Sequence, residues 1–252
     1  MHKYNKNFFD YIDNQSFESA KIILNELKKL ISFNSVIDVG CGTGSWLRAA
    51  QTLSEKINLI GIDGEYAKNT FNCKEAKFIS LDLEQNFMNK IDCKSDLVVC
   101  MEVAEHLKPT RSTTFIENLC NLSDIILFSA AVKHQRGTLH INEQPQSYWI
   151  DKFKKNNYSA YYLPRKKLWT NNKIIKTPYY ISNSFLFIKD GNTNIKNLNN
   201  FKVKEDDVVD IVHPVYLDWL QDKNSPFRTH LYYFFPSLYN AIKRRFFKLI
   251  KK

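Results

Sequence analysis

Seven residues, Asp38-Val39-Gly40-Cys41-Gly42-Thr43-Gly44, follow a short apolar run. Glycines at alternate positions let the backbone turn sharply and approach a ligand closely. A dinucleotide fingerprint, GxGxxG, needs its third glycine at position 45, where Ser45 stands. The pattern here is GxGxG with a carboxylate two residues before the first glycine. Taken alone, it also fits an ordinary strand-to-helix connection. Asp63 ends a second apolar run, 19 residues after Gly44. A carboxylate there can accept both hydroxyls of a ribose, or it can cap a helix. Asp82, beside Leu83, follows a third run, and Glu102 follows a fourth in Glu102-Val103-Ala104-Glu105-His106-Leu107.

Taken in this order, these segments resemble the class I S-adenosylmethionine-dependent methyltransferases. The glycine turn is similar to their first motif, and residues 102–107 are similar to their EVxEHL segment after the fourth strand. The resemblance covers about residues 30–190. It implies a Rossmann-like α/β fold: a seven-stranded, mostly parallel sheet whose last strand is antiparallel. It also implies S-adenosylmethionine (SAM) as methyl donor, with S-adenosylhomocysteine (SAH) as product. On the family pattern Gly40, Gly42 and Gly44 border the methionine and ribose portion. Asp38 faces the amino-acid part, Asp63 holds the ribose, Asp82 and Leu83 meet the adenine, and Glu102 lies near the methyl group. Trp46 departs from the small residues common after this turn.

A methyl acceptor that is an alcohol must lose a proton. A general base contributes typically about 10²–10⁴-fold to such a step, and histidine is suited to it. His106, His134 and His140 follow the fourth and fifth apolar runs, on the functional edge of such a fold. His140 and His106 are the candidate bases. The run from His140 to Trp149, H-x-N-x-Q-x-x-x-Y-W, resembles a subset of bacterial methyltransferases of surface-polysaccharide biosynthesis. That implies a sugar hydroxyl as acceptor, on a nucleotide-activated sugar for capsule or lipopolysaccharide. Asn142, Glu143, Arg136, Trp169 and Asn183 are the candidate substrate contacts. Arg136 and Arg165 could meet a phosphate. His140 and Asn142 could equally hold the loop and cap the next helix. Other small metabolites (a quinone, an amine, a phosphorylated compound) and a non-catalytic docking protein are the alternative functions. No HxH, HExxH or clustered Asp set indicates a metal.

The elements that must position these residues alternate. Residues 16–31 carry Phe17, Ala20, Ile23, Leu24, Leu27 and Leu30/Ile31 at helical spacing. Short apolar runs at 35–39, 58–63, 76–81, 96–103 and 125–132 read as strands, with helices at 44–53 and 113–122. A helix at 146–156 precedes strands at 158–163 and 184–189. Strands alternating with helices imply parallel crossovers. The insert 166–183 is too long for a tight hairpin and is placed to cap something. Three regions are expected: a helical extension over 1–33, the methyltransferase domain over 34–190, and a linker with basic helical appendage over 191–252.

The chain has 252 residues and a net charge of +10, with 44% hydrophobic residues. Of its 36 basic residues, six lie in the last ten positions, so the body is only mildly basic. That is a tail feature and gives no nucleic-acid footprint. Nor does the fourth-strand segment carry the Asn/Asp-Pro-Pro-aromatic motif of amine-methylating DNA enzymes. Residues 237–252 place Leu238, Ile242, Phe246 and Leu249/Ile250 along one side, with basic residues free to face anionic lipid. The bland alternative packs that side on the body or a second subunit. Five scattered cysteines suggest neither a disulfide framework nor a zinc ribbon. Residues 1–13 lack a signal-peptide core, and no apolar run reaches the roughly 18 residues of a membrane span. A cytoplasmic protein is expected, peripheral to the membrane if the tail binds lipid, with the terminal helices as candidate dimer elements.

Overall fold

The computed structural model describes residues 6–88, 90–135, 137–171, 177–193 and 198–214, with side chains from residue 13 onward. The helical appendage is expected over 210–220 and 237–252; the second segment and all but the start of the first lie outside these residues. Residues 210–213 form no helix.

Seven strands make one sheet: β1 (Ser35–Val39), β2 (Asn58–Asp63), β3 (Lys77–Ser80), β4 (Leu97–Met101), β5 (Ile125–Ser129), β6 (Tyr158–Tyr162) and β7 (Phe185–Lys189). Their order is β3-β2-β1-β4-β5-β7-β6. The first five strands run parallel, and β7 is antiparallel to both β5 and β6. The expected seven-stranded sheet with an antiparallel last strand is therefore present. Among the described helices are α1 (Lys6–Leu27), α2 (Ser45–Gln51), α3 (Ser112–Leu122), α4 (Gln146–Lys154), α5 (Arg165–Leu168) and α6 (Tyr179–Ser182).

β4 is solidly apolar, and β1 is apolar apart from Ser35 and Asp38, because both faces of the sheet are covered. On one face Val36, Leu97, Val99, Leu127 and Leu186 pack with α1 and α2. On the other, Ile37, Val98, Ile126 and Phe187 pack with α3 and α4. Phe153 of α4 stacks on Phe187 at 3.7 Å between ring centroids. Full burial of such a ring contributes roughly 1.5–3 kcal/mol.

Helix α1 starts ten residues earlier than its apolar period suggests. Its Ala20, Ile23, Leu24 and Leu27 are buried in the same core as β1 and α2. That apolar side is consumed within the chain, so α1 does not offer it outward to a second subunit. Residues 198–213 also lie on the body. Leu198 is buried, Lys202 bridges to Tyr161, and Asp210 accepts hydrogen bonds from the backbone N–H and hydroxyl of Ser147 at the start of α4. All five cysteines are free thiols. No described helix is long and apolar enough to cross a membrane.

Candidate functional site

The carboxyl ends of β1, β2 and β4 open onto the glycine turn. Gly40, Gly42 and Gly44 all have positive φ, at 80°, 51° and 83°. At Gly40 a Cβ would stand 2.3 Å from the Val103 side chain. Only glycine therefore allows the turn and the fourth-strand segment to meet. The turn is pinned from two sides. Asp63 accepts the backbone N–H of Gly42 at 2.8 Å and that of Gly64 at 2.7 Å. Asp13 of α1 accepts from the hydroxyls of Thr43 and Ser45 and pairs with Arg48 at 2.6 Å. Burial pushes the Asp13 carboxyl up, but Arg48 and the two hydroxyls outweigh it and hold it below its usual value. Asp13 escaped the sequence reading because its partners lie 30 to 35 residues away.

Two cavities share Gly40 and Tyr66. The first, of about 330 Å³, is lined among others by Asp13, Asp38, Gly42, Trp46 and Tyr180. The second, of about 530 Å³, is lined by Asp63, Asp82, Leu83, Glu102, His106 and Leu139, among others. Of the candidate cofactor residues, only Gly44 borders neither; its α-carbon packs toward Phe71 and Cys73. Trp46 finds its place here, its ring edge-on to Tyr180 at 5.4 Å. Tyr180 also meets Ser16 of α1 at 2.9 Å, so the insert does cap the first cavity, together with α1.

Asp38 is 2% exposed, and its Oδ2 has no hydrogen-bond partner. Burial raises its pKa well above the usual carboxylate value, and the charge of Asp63 adds to that. A buried acceptor of this kind bordering a cavity suits a cationic group, which would supply both charge and donors.

Glu102 stands at the end of β4 with φ 56°. A non-glycine residue held there costs about 1–3 kcal/mol, which the surroundings must offset. Its backbone N–H donates to Ser129, its Oε2 accepts from Gln135 at 2.6 Å, and its Oε1 accepts from Asn183 at 3.3 Å. Asn183 also donates to Gln135 at 2.7 Å. Burial pushes the Glu102 carboxyl up; Gln135 and Asn183 oppose it. His134 and Leu139 also have positive φ, so three of the four such non-glycine residues described surround this site.

Behind Glu102 lies an imidazole–carboxylate cluster. Nδ1 of His140 is 2.9 Å from Oε1 of Glu143, whose Oε2 accepts the His134 N–H. Nε2 of His140 is 4.0 Å from Glu105, and the ring packs edge-on to His106 at 4.8 Å. The Gly137 backbone approaches so closely that a Cβ there would lie 2.1 Å from Nε2 of His140. Glu105 is fully buried and neither carboxylate oxygen has a hydrogen-bond partner. Burial first, then the Glu102 charge, pushes its carboxyl up; the nearby N–H groups of Glu105 and Ala131 oppose this. His106 is exposed overall, but partial desolvation of its ring, followed by the neighbouring His140, pushes it down.

The substrate candidates divide. Glu143 and Asn183 stand at the site as positioning groups for His140 and Glu102. Asn142 does not face it. At 2% exposure it donates to the Ala104 carbonyl and the Ser112 hydroxyl and accepts from Gln144, so it clamps the loop. Trp169 borders neither cavity; its ring lies against His213 at 4.5 Å. Arg165 is turned onto the rings of Tyr162 and Phe185, with burial lowering its pKa to about 10. Arg136 lies outside the described residues. Polar and aromatic residues in a loop read alike from the sequence whether they meet a ligand or the loop itself.

The methyltransferase-domain family matches residues 12–162, more than half of the chain. A search of curated proteins finds no match. An O-methyltransferase family protein from Burkholderia thailandensis is 13% identical, over 73% of this chain and 59% of its own, with a TM-score of 0.51. A chain from the complex of a putative methyltransferase with the Trm112 methyltransferase activator of Haloferax volcanii is 11% identical, over 73% of this chain and 94% of its own, also at 0.51. Human N-acetylserotonin methyltransferase, solved in complex with SAM, is 13% identical over 69% of this chain, with a TM-score of 0.46. The chain spans about half the length of that human enzyme, at 51%. At these identities the likenesses speak to the fold.

Proposed function

The chain belongs to the methyltransferase-domain family, and from that premise we propose that it is a SAM-dependent O-methyltransferase whose acceptor is a hydroxyl of a sugar, on a nucleotide-activated sugar. The observation that carries the reaction type is the His140–Glu143 pair beside Glu102 and the second cavity.

Two features of the chain fit the cofactor. The unpartnered Oδ2 of Asp38 offers an acceptor to the ammonium of the methionine portion. Gly40 borders both cavities, at the junction where the methionine and ribose portions would meet. Asp63 retains acceptor capacity beyond the Gly42 and Gly64 bonds, since a carboxylate offers about four lone-pair sites. It is thereby suited to the ribose hydroxyls, with Asp82 and Leu83 on the adenine side. When bound, SAM supplies a methyl group already activated on a sulfonium. The protein then has to align the acceptor oxygen and remove its proton. Alignment alone can lower the barrier by several kcal/mol. Glu143 holds Nδ1 of His140, leaving Nε2 with the lone pair that takes the proton. Glu102, fixed by Gln135 and Asn183, orients the acceptor.

The sugar reading is supported by the likeness of residues 140–149 to surface-polysaccharide methyltransferases. A second acceptor class, a small metabolite with an apolar body, is favoured by the exposed Leu139 and Tyr66 at the cleft, 79% and 81% accessible. Transfer from labelled SAM to a panel of nucleotide sugars and apolar hydroxylated metabolites separates the two. Methylation confined to the apolar compounds would reject the sugar.

Asp38 gives a further expectation. In the free protein its raised pKa keeps it protonated at pH values where most carboxylates are ionised. The cationic end of SAM favours the ionised form. Binding therefore releases a proton, and affinity strengthens as pH rises through the raised value. Calorimetric titrations in two buffers of different ionisation heat should differ by up to about one released proton per SAM; equal heats would contradict this role.

A further inference from the structure

The pairing of Glu105 with His106 and His140 is not explained by proton transfer alone. One ligand-type atom from each of the three lies within 4.8 Å of the other two. A base needs one imidazole and one orienting carboxylate, which His140 and Glu143 already provide. The cluster adds a second imidazole and a second carboxylate, and Glu105 is buried without a hydrogen bond to either oxygen. Leaving a buried carboxylate unpaired is costly unless something else satisfies it.

We propose that Glu105, His106 and His140 bind a divalent first-row transition-metal ion at the acceptor side of the cleft. Three observations support this. Two imidazoles and a carboxylate form a donor set suited to Mn²⁺, Fe²⁺, Co²⁺, Ni²⁺ or Zn²⁺. Such ions take nitrogen and oxygen ligands at about 2.0–2.2 Å, so the three donors must draw in by roughly 1 Å from their present spacing. His106 is exposed and can turn to do so. Glu143 on Nδ1 of His140 supplies the carboxylate–histidine support that metal-ligating imidazoles usually have.

Three protein ligands leave coordination positions for the acceptor hydroxyl. This catalytic part rests on the O-methyltransferase reading; the binding part does not. A hydroxyl on the ion becomes more acidic, so His140 would act by holding the ion instead of taking the proton itself, and the proton would pass to water at the open mouth of the cleft. The sequence concealed the arrangement because positions 105–106 and 140 are far apart in the chain and form no spaced motif.

The test uses the full chain, stripped with a chelator and desalted, then titrated with Mn²⁺, Co²⁺ and Zn²⁺ separately. One ion per chain is expected, with Co²⁺ developing the absorption of a coordinated site. His106→Ala and Glu105→Gln should each weaken binding by more than about tenfold, and Glu143→Gln should weaken it less. SAM affinity, measured on the same samples, should persist and shows that each variant is folded. The exposed His106 makes its variant the safest. Absence of saturable ion binding, or equal binding by wild type and His106→Ala, overturns the site. Turnover that survives complete removal of a demonstrated ion overturns its catalytic role and returns the proton to His140. Ion binding without SAM binding instead defeats the methyltransferase reading and leaves the metal site standing.

Discussion

His140→Ala is expected to lower turnover by about 10²–10⁴-fold, the usual contribution of a positioned proton-transfer group, while SAM affinity should stay nearly unchanged. The division follows from geometry. His140 borders neither of the two cavities and makes its contacts with Glu143, Glu105 and His106. The residues fitted to the cofactor, Asp38, Gly40 and Asp63, lie at the ends of β1 and β2. Single-turnover kinetics at saturating SAM, with calorimetry on the same variant, checks both halves. Wild-type turnover would remove His140 from the reaction; whether it holds an ion is decided by the ion titration. A parallel loss of SAM affinity would mean that the substitution disturbed the cleft as a whole. Glu143→Gln should fall between wild type and His140→Ala, because it keeps a hydrogen bond to Nδ1 but no charge.

Asp63→Ala should weaken SAM binding by roughly 100-fold or more. Hydrogen bonds to a charged acceptor contribute about 1.5–3 kcal/mol each, and the ribose presents two hydroxyls. The carboxylate also pins the N–H groups of Gly42 and Gly64, so a modest loss of thermal stability accompanies the loss of affinity. Asp63→Asn separates the two. It keeps one carbonyl oxygen for the turn, and should preserve most of the stability while losing much of the affinity. Unchanged affinity in both variants would reject the ribose role.

The strands were the most legible part of the fold. β1 and β2 match their sequence bounds because apolar runs with both faces covered end sharply at glycine and aspartate. The glycine turn and Asp63 were legible for a related reason: their function depends on local backbone form and on distance along the chain. What the sequence concealed depends on contacts between distant segments. Asp13 reads as one more polar residue near the amino terminus, yet it ties α1 to Thr43, Ser45 and Arg48. Asn142 reads as a ligand contact, but its amide is spent on Ala104 and Ser112. Trp169 and Arg165 suggested stacking and phosphate binding, and both are absorbed by packing. Glu105 reads as part of the EVxEHL segment, and only its burial, with neither carboxylate oxygen hydrogen-bonded, sets it apart.

The most direct measurement is calorimetric titration of SAM into the full-length chain, followed by the same titration with Asp63→Ala. We expect saturable one-to-one binding by the wild type and binding weaker by roughly 100-fold or more in the variant, as estimated from the two ribose hydrogen bonds. No measurable binding of SAM to the folded wild-type chain would contradict the assignment of the cleft and every catalytic role built on it.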